Sequence, residues 1–384
     1  MTHRGIGQTL DRMIRGLHRR ANGVTPGPVR FLARVLDFPI RAVWHVWRNR
    51  RYLTVRKLVN MGLVSLENAL RRQRPRGLPY IYKIEPTNIC NGTCRLCPTG
   101  LGLTGRAKGR MSFDNFRRVI DAIRDVAYVA DLSNWGDPLI VPEIYDMIRY
   151  AHDRRIWTYI SSNLHAFRID AGDAEKMVRS GLDCLNCSLH AATQGAYEAY
   201  QPGKQLAPTL EKIRAIIEPR RRLKSLTPTI QLFFVVTKYN EQEIDAFRIL
   251  AKDMGCESVL TPASLNLRLA PTEQRPGLKA EWLPTNAAWV APWYGAGTVP
   301  GSSGRTGCKP YPCDWPWWGT VINWDGSVSV CCGDFDPKWE MGNILSQPLR
   351  TIWNSKAYLA VRGSFKGAGG LGGEPCRSCC GVLV

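Results

Sequence analysis

The 384-residue chain contains no run of eighteen or more apolar residues, which excludes a membrane-spanning helix. Behind Arg4, Arg12 and Arg15 it has neither an apolar stretch nor a small-residue cleavage site, so no secretory signal is expected and a cytoplasmic location follows. It is also short of acid, with 32 Asp and Glu against 52 Lys and Arg and a net charge of +20. The shortage is local. Residues 1–77 hold 17 Lys and Arg but only Asp11, Asp37 and Glu67, which leaves the rest of the chain mildly basic. The positive field therefore belongs to an N-terminal extension. Thirteen cysteines in a chain of this length, without a secretory signal, argue against a disulfide scaffold and for metal or redox chemistry.

Breakers at Gly23, Pro26, Gly27 and Pro28 divide the extension, and Pro75 and Gly77 close it. Within 29–50, Arg30, Arg34, Asp37, Arg41, His45 and Arg48 recur at intervals of three and four. Phe31, Leu32, Val35, Leu36, Phe38, Val43, Trp44, Val46 and Trp47 fall opposite, which predicts an Arg-striped amphipathic helix. Such a face either packs on the main domain or lies in a membrane interface, here the inner face of the membrane. Nucleic acid is the weaker expectation, because charge alone argues for it.

From residue 78 the pattern becomes one of strands alternating with helices. Strands are expected near 80–85, 127–133, 157–161, 183–189, 229–236 and 257–261. Helices are expected at 113–126 (opened by Ser112), 142–153, 171–179, across 193–218, and at 240–253. Six such units imply a parallel sheet with right-handed crossovers: an α/β fold, a partial (β/α)6 TIM-like barrel with function at the strands' C-terminal ends. The expected organisation is a basic helical extension over 1–77, a core over 78–268, and a linker with a C-terminal domain over 269–384. In the last, Asp325-Gly326 between two alternating runs predicts a hairpin that turns Cys313 back toward Cys331.

Just past the first strand lies Cys90-Asn-Gly-Thr-Cys94-Arg-Leu-Cys97. Three thiolates are one too few for a fully ligated iron–sulfur cluster and for a structural zinc site, but they suit a [4Fe–4S] cube with one open iron. C-x3-C-x2-C at this place resembles the radical S-adenosylmethionine (SAM) enzymes. The resemblance continues through Trp135-Gly136-Asp137-Pro138 after the second strand, Ser161-Ser162-Asn163 after the third, Ser188-Leu189-His190 after the fourth and Thr261-Pro262 after the last. It implies that Cys90, Cys94 and Cys97 hold the cluster. It also implies that Trp135, Gly136, Asp137, Pro138, Ser162, Asn163, Ser188, His190 and Thr261 line the SAM site. Four positions depart from the family pattern: Asp137 replaces Glu, Leu96 an aromatic residue, His190 an Asp and Gln201 an Arg.

A second set, Cys313, Cys331, Cys376 and Cys379, supplies four thiolates, enough for one fully ligated cluster or for zinc. It resembles the auxiliary-cluster appendage called SPASM in its shorter "twitch" form, which implies a second [4Fe–4S] cluster. Cys332 and Cys380 are alternatives to their neighbours, Cys184, Cys187 and Cys256 read as core thiols, and Cys308 has no assignment. The resemblance implies reductive cleavage of SAM to a 5′-deoxyadenosyl radical, fed by an external flavodoxin- or ferredoxin-type electron donor. The expected substrate is a hydroxylated small molecule, dehydrogenated or epimerised as in sugars and aminocyclitols. The alternatives are a peptide matured by the same chemistry, or a lipid or lipid-linked glycan met at the membrane through residues 29–50. Asp334 and Asp336 are the candidate bases, and Cys332, if not a ligand, the candidate hydrogen-atom donor.

Overall fold

The computed structural model describes residues 50–103, 105–265, 272–291, 294, 313–335 and 341–365. Residues 29–49, which carry the amphipathic pattern, lie outside the described residues, as do Cys308, Asp336, Cys376, Cys379 and Cys380. The chain divides into two compact units, Met1–Leu53 and Thr54–Val384. In the first, the described part is the 3-10 turn Arg50–Tyr52.

The second unit opens with α1 (Val55–Ala69), capped by Thr54, whose side chain accepts from the Lys57 N–H at 3.3 Å. The inner side of α1 is held by polar groups as much as by apolar ones. The buried Glu67 carboxylate accepts from the Arg76 and Gly77 N–H groups at 2.8 Å each, and Lys57 Nζ donates to the Arg155 carbonyl at 2.5 Å. Burial lowers the Lys57 pKa to about 8.

The strand–helix repeat follows. Its elements are β1 (Ile81–Ile84), α2 (Phe113–Ile123), β2 (Val129–Asp131), α3 (Ile144–Asp153), β3 (Trp157–Ser162), α4 (Asp173–Arg179) and β4 (Cys184–Ser188). It continues with α5 (Gln194–Tyr200), α6 (Leu206–Arg222), β5 (Thr229–Val236), α7 (Ile244–Asp253) and β6 (Glu257–Pro262). After α8 (Arg275–Trp282) and a helical turn at Trp315–Trp318 come β7 (Gly319–Ile322), β8 (Val328–Ser329), α9 (Leu349–Trp353) and α10 (Lys356–Gly363). The helices expected across 193–218 are two, α5 and α6, parted at Pro202-Gly203, where Gly203 has φ +73°.

The strands form one open sheet in the order β6-β5-β4-β3-β2-β1-β7-β8. All neighbours from β6 to β7 are parallel, and only β7 and β8 run antiparallel. No barrel is closed, as the partial-barrel expectation requires. The hairpin at Asp325-Gly326 is present, with Gly326 at φ +83°, but it does not form a separate sheet. Its first strand lies on the free edge of β1, with Lys83 opposite Val321 and Ile84 opposite Ile322.

Strand alternation sorts this sheet into two unlike faces. Tyr82, Ile84, Ala130, Leu132, Ile160, Leu185, Leu232 and Phe234 are buried in one core with helix residues such as Phe116, Ile120, Met147, Ile148 and Phe247. Each large apolar side chain there contributes about 1.5–3 kcal/mol by burial. The register places Lys83, Asp131 and Tyr159 together on the opposite, inner face. Asn186 faces Ser161 and Gln231, and Gln231 faces Glu257, on that same side. In TIM barrels the interior is a packed core of branched residues; here the row from Lys83 to Gln231 is polar, with Asn186 buried and the others half-buried.

Candidate functional site

The three-cysteine loop follows β1 directly. Cys90, Cys94 and Cys97 are all half-buried free thiols. Gly92 lies between two of them: a Cβ there would come within 3.5 Å of both the Cys90 and the Cys94 sulfur. Burial pushes the Cys90 thiol up to about 11 and the Cys94 thiol higher still, and the neighbouring thiols add to both shifts. Among the described residues no three His, Cys, Asp or Glu side chains close around a single metal ion. Three thiols on one loop, with Gly92 between Cys90 and Cys94 and these two resisting charge until a cation arrives, fit a cationic iron cluster.

The expected SAM-site segments sit at the C-terminal ends of the strands and are laced to this loop. The Asp137 N–H donates to the Ile89 carbonyl at 2.9 Å and Thr99 Oγ1 donates to the Trp135 carbonyl at 2.6 Å. Gly136 is obligatory, since a Cβ would stand 2.1 Å from the Thr87 carbonyl oxygen. The Asp137 carboxylate is buried and occupied. It accepts from Leu139 N at 3.0 Å, from Ser162 Oγ at 2.9–3.0 Å through both oxygens, and from Asn163 N at 2.9 Å. Three donors, the Leu139 and Asn163 N–H groups and the Ser162 hydroxyl, hold the carboxylate, so Asp137 braces the β2 and β3 loops against each other. Burial raises its pKa, the hydrogen bonds opposing that rise. The residue so braced reaches the cluster loop: Asn163 Nδ2 lies 3.7 Å from the Cys90 sulfur and 3.0 Å from Asn91 Oδ1.

Across the rim, His190 is held at φ +60°, and its Nδ1 accepts from Val235 N at 3.2 Å. Its ring lies 4.4 Å from Tyr200 and 5.7 Å from Phe233, and burial lowers its pKa to about 3, so it is neutral. Ser188 Oγ lies 3.3 Å from Ser161 Oγ, and the Ser188 carbonyl accepts from Gln201 Nε2 at 3.2 Å. Gln201 Oε1, Asn186 Oδ1 and Trp135 Nε1 are buried without a hydrogen-bond partner, three polar atoms that a polar cofactor could satisfy. Thr261 lies beside Val235, which packs with Leu96, Cys94, Tyr200 and Trp282 in a small apolar cluster. Leu96 is thus surrounded by aromatic residues rather than being one.

Sequence reasoning missed the inner face. Lys83 pairs with Asp131, which also accepts from Ser133. Arg106 donates to both oxygens of the buried Glu85 at 2.6 and 2.8 Å and to Asn323 Oδ1 at 2.8 Å, joining the cluster loop to the hairpin. The signal was available as polar residues at alternate strand positions: Lys83 and Glu85, Asp131 and Ser133, Tyr159 and Ser161, Asn186 and Ser188.

At the hairpin, Trp315 Nε1 donates to the Val330 carbonyl at 2.8 Å, drawing the segment of Cys313 alongside that of Cys331. Cys331 is buried in the main core, with Cys313 packed against it. Against burial, Asp131 raises the Lys83 pKa, and Cys332, the residue after Cys331, adds to the rise. Asp334 is buried, not solvated, and Phe335 meets the Trp135 ring edge-on at 5.4 Å.

Residues 84–250 match the radical SAM superfamily and residues 313–380 match SPASM, an iron–sulfur cluster-binding domain. The chain is 25% identical to the PqqA peptide cyclase of Streptomyces rochei over 321 residues, 79% of this chain and 82% of that protein. It is 24% identical to the mycofactocin maturase MftC of Mycobacterium ulcerans, over 56% of this chain and 53% of that one, so beyond the cyclase it spans about half of this relative. SuiB of Streptococcus suis, solved with the precursor peptide SuiA, shares the fold at a TM-score of 0.56 and 13% identity, over 77% of this chain and 69% of that chain. The radical SAM domain carries a [4Fe–4S] cluster and SAM, and the SPASM domain carries auxiliary iron–sulfur. The chain is an enzyme of the radical SAM superfamily with a C-terminal SPASM domain.

Proposed function

We propose that this enzyme removes hydrogen from a peptide laid along the inner face of its sheet. The reading is carried by one observation: polar side chains run across that face from Glu257 on β6 to Lys83 on β1. Six strands at about 4.8 Å make an arc of about 24 Å, the length of roughly seven extended residues. The relation to a peptide cyclase through both cluster-bearing regions supports it.

Cys90, Cys94 and Cys97 would hold the first cluster. Trp135, Gly136, Asp137, Pro138, Ser162, Asn163, Ser188, His190 and Thr261 would border SAM, and Cys313, Cys331, Cys376 and Cys379 would hold the auxiliary cluster. Together the cluster and SAM supply a one-electron reduction and an acceptor for a substrate hydrogen atom, with electrons from a flavodoxin- or ferredoxin-type donor. The chain's own residues do the rest. The Lys83–Asp131 pair and Tyr159 orient the substrate's polar groups. A carboxylate, Asp131 on the inner face or Asp334 and Asp336 beside the auxiliary cysteines, takes the proton released when a substrate radical gives up its electron, for which the auxiliary cluster that Cys313, Cys331, Cys376 and Cys379 would hold is the acceptor.

A second reading, a hydroxylated small molecule, is favoured by the charge balance of the inner face. Lys83 is matched by Asp131 and Arg106 by Glu85, which suits a neutral polyol. Cys332, bordering Lys83, would then be the thiol that returns a hydrogen atom in epimerisation. Anaerobic incubation with SAM and dithionite separates the two readings. Peptides encoded beside the gene should accelerate 5′-deoxyadenosine formation and lose two hydrogens by mass spectrometry. Acceleration by aminocyclitols but by none of the peptides would transfer the assignment to the second reading.

A further inference from the structure

α1 turns an apolar face away from the protein that carries it. Val55, Leu58, Val59, Leu66 and the following Leu70 are 77%, 48%, 65%, 58% and 67% exposed. At 3.6 residues per turn, these positions and Gly62 fall within an arc of about 120°. Five of the eleven large exposed hydrophobics among the described residues lie on this one stripe; the others are scattered, as on ordinary soluble surfaces.

The charge on α1 and the segment that follows it is mostly positive. Between residues 50 and 77 the only acid is Glu67, and it is buried under Arg76 and Gly77. Arg56, Arg72, Arg74 and Arg76 are exposed. Arg56 meets Asp125 at 3.3 Å between two largely exposed side chains, a contact of little strength. A second copy of the chain, face to face, would bring the arginines of both copies together, with Asp125 already taken up by Arg56. A nucleic acid would use the arginines and leave the leucines and valines in water.

We propose that the outer face of α1 rests on an anionic lipid surface, its Val and Leu side chains entering the headgroup–acyl boundary and its arginines meeting lipid phosphates. This combination of apolar stripe and cationic flank is that of an interfacial helix. The inference is independent of the reaction proposed above and of residues 29–50, since it rests on α1 and the segment that follows it, residues 54–77.

Flotation of the full-length holoenzyme with vesicles tests it. Wild type should float with mixed phosphatidylglycerol–phosphatidylcholine vesicles and less with phosphatidylcholine alone. Val59→Glu/Leu66→Glu and, as a milder pair, Val59→Ser/Leu66→Ser should each lower partitioning at least tenfold. Iron content, melting temperature and SAM cleavage should stay at wild-type values, which shows that the variants fold and that the test is separate from catalysis. The proposal is overturned if wild type does not float, if either folded pair floats within tenfold of wild type, or if ultracentrifugation shows a dimer that the substitutions dissolve.

Discussion

The same strands of this protein present two surfaces that obey different rules. Toward the helices, alternate residues are Tyr82, Ile84, Ala130, Ile160, Leu185 and Phe234, fully buried and interchangeable in chemistry though not in volume. Toward the interior, the intervening residues are Lys83, Asp131, Tyr159, Ser161, Asn186 and Gln231, paired by hydrogen bonds and partly wet. One surface holds the sheet together, and the other gives it chemistry to do. Substitutions should therefore separate stability from turnover according to which side of a strand they fall on.

The largest effect is expected at the rim. Cys94→Ala should abolish 5′-deoxyadenosine formation and remove about half of the iron, leaving the auxiliary cluster in place, as iron analysis would report. Next comes the inner face: Asp131→Asn should slow substrate conversion by about a hundredfold or more, while SAM cleavage without substrate continues. The comparison fails if Asp131→Asn instead unfolds the protein. Phe234→Ala should do the reverse, destabilising by about 3–5 kcal/mol in denaturant titration while each folded molecule cleaves SAM normally.

Two smaller effects sharpen the picture. Lys57 has its pKa lowered to about 8 in the folded protein, from 10.5. Between those values the unfolded chain binds more protons, so stability should rise as pH climbs through the window. In Lys57→Met that rise in melting temperature should flatten. Asn163→Ala should lower the reduction potential of the first cluster modestly, because a donor 3.7 Å from the Cys90 sulfur favours the more negative, reduced state. Spectroscopic titration would read the shift.

The sequence revealed the scaffold better than the site. TIQLFFVV gave β5 to the residue, Thr229–Val236, because a segment in which seven of eight residues are apolar or β-branched has few alternatives. β2 is only Val129–Asp131, shorter than its apolar run, since pairing with β1 ends at Asp131. The cysteine loop was legible because metal ligation leaves its mark in local spacing. The inner face was not, because a lysine or an aspartate in a strand looks the same whether it faces water or a half-enclosed trough. Asp137 was legible in place but not in role: nothing local announces that Ser162 and Asn163 will claim its oxygens.

The placement of β7 against β1 has a consequence for how this enzyme can be taken apart. Because the hairpin completes the core's own sheet through Lys83–Val321 and Ile84–Ile322, the C-terminal region is not a detachable cassette. Chimaeras that graft another relative's auxiliary domain at residue 313 must bring a strand that fits this seam, or they will leave an adhesive open edge on β1.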